Sequence, residues 1–170
     1  PLKKNVRLVL GSDEECGSSD IEYYYGREKE APVTFSPDAE FPVINIEKGR
    51  LEGHFNASFQ ASEAVPRLVK VEAGIKANVV PGKAKAVVEG VDLATLEETA
   101  REVETETGVS SGFEGNFPVI QITAQGDGAH ASTPQEGRNA LTALLLYLTR
   151  LPLAQCPQMD AVGALVELFP

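Results

Sequence analysis

The stretch VIQITAQGDGAHASTPQEGRNALTALLLYLTRL, residues 119–151, decides the fold. Val119 to Gly126, rich in β-branched residues, reads as a strand that runs directly into the loop. Beyond the loop, Ala140, Leu141, Leu144, Leu148 and Leu151 mark a helical face for burial, and Leu145 and Leu146 widen it. Thr133, Pro134 and Glu136 stand at the N-cap, N1 and N3 spacing of a capping box, so a helix is predicted to begin at Thr133. Gly137 then falls in its first turn, where a poor helix former points to close packing or backbone access.

Working upstream, DLATLEETAREVETETG (92–108) places Leu93, Leu96, Ala100 and Val103 on one helical face. Asp92 is the expected N-cap and Gly108 the left-handed C-cap. LEGHFNASFQ (51–60), RLVKVEAG (67–74) and AKAVVEG (84–90) read as strands, and Val79 to Lys83 as an exit into a tight turn. The succession strand, strand, helix, strand, helix predicts an α+β unit: an antiparallel sheet with two helices on one face. Residues 153–170 are expected to return as a turn, a short helix around Ala161 to Glu167, and an end at Phe169-Pro170. Ahead of this unit, NVRLVL (5–10) reads as a strand closed by Gly11-Ser12, and a helix is expected near Ser18 or Ser19 with Ile21, Tyr24 and Tyr25 on its inner side. Two prolines and a small alternation at Val43, Ile44 and Ile46 put Asp38 on a constrained loop.

Composition narrows the function classes. With 25 acidic and 15 basic residues the formal charge is −10, and a phosphate-binding surface would be a local exception in a repulsive field, so nucleic acid is not an expected partner. No window approaches the roughly 18 to 20 continuous apolar residues of a membrane span, and no membrane partner is expected. The five-residue apolar run after the first lysines lacks a cleavage pattern, which argues against a signal peptide. Cys16 and Cys156 form neither a CxxC pair nor a thiolate zinc cluster, and a cytoplasmic setting is the simpler reading. Two histidines cannot build an imidazole-rich zinc site within one copy of the chain.

Three groups of residues could carry chemistry. Asp13, Glu14 and Glu15 follow an apolar run; acids there suit a helix start, but adjacent glutamates at a loop can also divide the work of a hydrolytic centre, one binding a metal and the other collecting a proton. Asp38 is a second candidate ligand, or a turn aspartate. His130 lies among small residues, either a hydrogen-bonded linker or a donor to an oxyanion, and Asn78 could add a second donor from its amide. His54, in GHFN, is read as structural or exposed.

Together these motifs resemble the metallopeptidases of family M20, in the PepV-like branch of monomeric bacterial dipeptidases. The matching segments are Asp13-Glu14-Glu15, the Pro-Asp-Ala-Glu-Phe-Pro run from Pro37 to Pro42, the Asn-Val-Val-Pro run from Asn78, and the Gly-x-x-Ala-His-Ala-Ser-x-Pro motif within Gly126 to Ala140. The resemblance implies Glu14 as general base, Glu15 and Asp38 as metal ligands, Asn78 as a substrate contact, and His130 as the group that binds substrate and stabilises the transition state. It implies two zinc ions in a full-length enzyme and a dipeptide as substrate. It also implies that residues 1–48 are the end of a catalytic α/β domain and residues 49–170 the first lobe of a ferredoxin-like lid, or dimerisation-like, domain.

His54 is followed two positions on by Asn56 and His130 by Ser132, so the family's His-x-Asp motif has no counterpart, nor has its distant C-terminal histidine. The metal site in this chain is therefore expected to be incomplete and the isolated chain inactive as a peptidase, with a monomeric parent and self-association of the fragment open. Two alternatives stand beside dipeptide hydrolysis: an M20-like N-acyl amino acid deacylase, and a lid segment that serves as an association module.

Overall fold

The computed structural model describes residues 3–38, 41–49, 51–60 and 62–169. The chain divides into two compact units, Pro1–Glu47 and Lys48–Pro170.

In the first unit a one-turn 3-10 helix, Glu14–Cys16, precedes α1, Ser19–Tyr25. Ile21, Tyr24 and Tyr25 are half-buried, as the spacing predicts, and Arg7 donates to the Tyr24 hydroxyl at 2.8 Å. The strand expected at Asn5–Leu10 is not formed, and the alternation at Val43, Ile44 and Ile46 makes none either. Val6, Leu8 and Leu10 are all exposed. A strand pattern becomes a strand only where a neighbour takes up its backbone N–H and C=O groups, and no described residue of this unit does so.

The second unit is built on four antiparallel strands: β1, Arg67–Ala73; β3, Lys83–Glu89; β4, Ser110–Asn116; and β5, Val119–Gln125. Their order in the sheet is β1-β3-β5-β4. A two-residue ribbon, β2 (Val79–Val80) with β6 (Ala129–His130), lies outside that sheet. The period-two pattern sets the register. Ala84, Ala86 and Val88 of β3 stand opposite Ala124, Ile122 and Ile120 of β5, and all six are buried on one face. Against that face pack α2, Leu93–Thr107, and α3, Ala140–Arg150, with α4, Pro157–Leu168, laid on α3. Three alanines on the sheet leave room for the leucines of the helices, and Leu96, Leu144 and Leu148 are fully enclosed.

Local chemistry explains each helix. Asp92 caps α2 by accepting from the Thr95 N–H at 2.9 Å and the Thr95 hydroxyl at 2.9 Å. The Thr95 amide, foremost among these donors, holds the Asp92 carboxyl below its usual range. Gly108 closes the helix at φ +69°, where a side chain would be strained. Leu93 proves 47% exposed, contrary to the expected face; Thr99 takes a place in the core, its hydroxyl satisfied by the Thr95 carbonyl at 3.0 Å. Tyr147 joins the helices: its buried hydroxyl donates to the Leu96 carbonyl at 2.8 Å, and burial pushes its phenol well above the usual value.

Four further expectations are corrected. The helix predicted from Thr133 begins at Ala140, because Asn139 is the cap that accepts from the Leu141 N–H at 2.9 Å. Pro134–Glu136 is a separate 3-10 turn, in which the Thr133 hydroxyl meets the Glu136 carboxylate rather than a backbone N–H. What interrupts the helix is Arg138, whose backbone exchanges two hydrogen bonds with Asp127 and so must stay extended. Gly137 therefore lies between two elements, outside any helical first turn. Residues 51–60 form no strand, and Leu51 and Phe55 are exposed. Strand β4 has no sequence signature, for SSGFEGN holds one large apolar residue; β5 supplies its template and Phe113 its contact with the core. Finally, α4 starts four residues before the expected Ala161, with Pro157 at its first position, where a missing N–H costs nothing.

Candidate functional site

The acidic turn of the first unit is braced from both sides. Asp13 accepts at one carboxylate oxygen from the Ser19 N–H at 2.9 Å and from the Ser19 hydroxyl, tying the turn to the start of α1. Asp20 reaches back in the opposite direction and accepts from the Ser12 and Asp13 N–H groups, the latter at 3.2 Å. This reciprocal arrangement shares the logic of a capping box. Gly11 makes room for it, since a Cβ there would come within 2.8 Å of the Asp20 carboxylate and push that side chain aside. The acids thus differ in what they do, for Asp13 holds the fold while Glu14 and Glu15 are exposed on the 3-10 turn. Asp20 is a residue that sequence reasoning missed, and its place one residue past the first serine of a helix start was the available signal. Asp20→Ala is expected to speed amide hydrogen exchange at Ser12 and Asp13 by about 10-fold or more, with Asp20→Asn affecting it less because one acceptor oxygen is kept.

Asp38 is exposed on a segment without regular structure, and Ala39 and Glu40 of the same motif lie outside the described residues. Among the described residues no three His, Cys, Asp or Glu side chains gather into a group able to hold a metal ion. Glu15 and Asp38 are oxygen donors of a kind zinc accepts, but two donors fall short of the three or four protein ligands that zinc sites use. The described residues do not by themselves make a zinc centre.

The second unit brings Asn78 and His130 together. Val79 pairs with His130 across the β2–β6 ribbon, and the Ala131 N–H donates to the Asn78 carbonyl at 2.8 Å, so the two candidates sit on adjacent rungs. The loop that carries His130 is closed at its base by Asp127 and Arg138, whose backbones exchange bonds of 3.0 and 2.9 Å and whose side chains form an ion pair. Glycine is required at that base. A Cβ on Gly126 would collide with the Arg138 carbonyl oxygen, and one on Gly137 would lie 2.7 Å from the Asp127 carbonyl. Lys48 donates to the Ser132 carbonyl, and the Thr133 N–H closes a turn onto the His130 carbonyl at 3.0 Å. Within that turn the imidazole Nδ1 lies 2.7 Å from the Ser132 hydroxyl and 3.2 Å from the Ser132 N–H. The ring is exposed. An exposed imidazole on a rigid loop suits hydrogen bonding to a ligand oxygen, and the contact that ties Asn78 to this loop runs through its backbone carbonyl.

His54 is exposed, with Nε2 3.4 Å from Glu52, as its sequence setting suggests. Cys16 and Cys156 are free thiols. No helix among the described residues is long and apolar enough to cross a membrane.

The fold and site thus define a mixed α+β chain with two candidate groups, one acidic and one imidazole-bearing. No family model matches the chain. It is similar to the Beta-Ala-Xaa dipeptidase of Lactobacillus delbrueckii subsp. lactis, 36% identical over 152 residues, which cover 89% of this chain and 32% of that protein. It is also similar to the putative dipeptidase YtjP of Bacillus subtilis (strain 168), 31% identical over 159 residues, 90% of this chain and 34% of the relative. A putative dipeptidase of Staphylococcus epidermidis is 30% identical over 161 residues, 89% and 33% of the two chains. These relatives bear dipeptidase names, and the chain spans about a third of their length.

Proposed function

We propose that this chain is part of a zinc-dependent dipeptidase of the M20 type, in which residues 1–48 belong to a catalytic domain and residues 49–170 to a lid. The observation that carries this reading is the β2–β6 ribbon, which holds Asn78 and His130 one backbone rung apart, alongside relatives named dipeptidases over nearly the whole chain. Glu14 accepts a proton from the attacking water and returns it to the leaving amine. His130, with Asn78, donates to the carbonyl oxygen of the scissile bond as negative charge collects on it. Glu15 and Asp38 supply two of the oxygen donors for zinc, and the remaining ligands come from residues beyond these 170. We place the enzyme in the cytoplasm, a reducing setting in which free thiols such as Cys16 and Cys156 persist.

Purified on its own and supplied with zinc, the 170-residue chain is expected to hydrolyse no unblocked dipeptide above background, while a full-length protein that carries it does. Zinc-dependent dipeptide hydrolysis by the isolated chain would overturn the incompleteness of its site. A full-length protein that cleaves N-acyl amino acids and leaves free dipeptides intact would replace the peptidase with a deacylase. Strands β1 and β4 form the two edges of the sheet, and sedimentation over a range of concentrations tests whether an edge lets the isolated chain self-associate where the monomeric parent does not.

A further inference from the structure

We propose that Ser132 is the positioning residue that fixes the tautomer of His130, and this rests on His130 acting as the oxyanion donor. The Ser132 main-chain N–H points at Nδ1 from 3.2 Å, and a backbone N–H can only donate. Nδ1 is therefore an acceptor, and a neutral imidazole with one accepting nitrogen carries its proton on the other. The Ser132 hydroxyl, 2.7 Å from the same nitrogen, reinforces this by donating to it as well. Both contacts leave Nε2–H as the donor. The distinction decides the chemistry, because the opposite tautomer would turn the Nε2 lone pair toward a developing oxyanion and repel it.

The geometry around Ser132 is held by groups remote from the ring. The Thr133 N–H bonds to the His130 carbonyl at 3.0 Å, closing the turn on which Ser132 sits, and the Ala131 N–H is anchored on the Asn78 carbonyl at 2.8 Å. The Lys48 ammonium takes the Ser132 carbonyl. The turn therefore delivers an N–H and a hydroxyl to one ring nitrogen. Both are donors, so the nitrogen they meet stays unprotonated and Nε2 keeps the proton that an oxyanion requires.

The test reads the ring nitrogens of His130 by nitrogen-15 NMR on the 170-residue chain labelled in histidine, at alkaline pH where imidazoles are neutral, with His130→Gln to assign its signals apart from those of His54. The expected result is an unprotonated, pyridine-like Nδ1 and a protonated, pyrrole-like Nε2. Ser132→Ala removes the hydroxyl but keeps the main-chain N–H, so it should move both signals part of the way toward those of the chain unfolded in denaturant, and Ser132→Thr, which keeps both donors, should restore them. In a full-length protein Ser132→Ala should lower kcat by about 10-fold or more with KM changed less than about twofold, again rescued by threonine. A protonated Nδ1 in the unaltered chain, or ring signals that Ser132→Ala leaves unchanged, would overturn the proposal. Because the spectra need no catalysis, the expected signals together with a full-length protein inert toward dipeptides would sink the dipeptidase reading and leave the tautomer assignment standing.

Discussion

His130→Ala, made in a full-length protein that carries this chain, is expected to lower kcat for dipeptide hydrolysis by about 10²–10³-fold, the usual consequence of deleting one oxyanion donor. KM should change little, since the donor's bond strengthens as the carbonyl oxygen gains charge and contributes less in the ground state. Folding should be unaffected. The ring is exposed, and the pairing of β6 with β2 and the turn onto Thr133 use the backbone of residue 130, which alanine keeps. His54→Ala serves as the control, because that imidazole is exposed and lies beside Glu52, away from any regular element. Steady-state kinetics on the two variants decide the matter: a loss smaller than about 10-fold at His130, or an equal loss at His54, contradicts the role assigned to His130.

Leu148→Ala should destabilise the second unit by about 2–5 kcal/mol. Leu148 is 0% exposed on α3, the helix that packs at once against α2, α4, β3 and β5, so a cavity there has walls on every side and little freedom to collapse. Such a loss is a large share of the roughly 5–15 kcal/mol that holds a typical domain together. Urea unfolding is expected to show a lowered midpoint with an unchanged slope. Leu93→Ala, at a position 47% exposed despite its place in the apolar pattern, should cost less than about 1 kcal/mol. Equal effects at the two leucines would mean that the core is not centred on α3.

The contrast between those leucines shows how far sequence patterns reach. Strands β3 and β5 and helices α2 and α3 are visible because each carries a periodic apolar face, and periodicity is a property of consecutive residues. The Asp92 cap and the Gly108 terminus are legible for the same reason, being contacts within three or four positions. The start of α3 is different. Thr133-Pro134-Gln135-Glu136 satisfies the local rule for a helix start, yet Asp127 competes for the backbone of Arg138 from eleven positions away, and the loop it closes presents His130. The acidic turn shows the same division: Asp-Glu-Glu marked the candidates, but only the fold revealed that Asp13 and Asp20 clamp the turn and leave Glu14 and Glu15 exposed.

By itself the sequence determined the α+β class, the inner faces of the two sheet-covering helices apart from Leu93, and the types of residue that could activate water or bind an oxyanion, because side-chain chemistry and short-range spacing are written in order along the chain. The tertiary structure decided what depends on partners distant in that order. It recruited the apolar-poor β4 to the sheet, left Val6, Leu8 and Leu10 exposed, tied the Asn78 carbonyl to the residue after His130, and turned the imidazole Nδ1 toward Ser132. The physical reason is the same in each case: a backbone or ring nitrogen settles where its hydrogen bond is completed, and which group completes it is known only once the chain has folded.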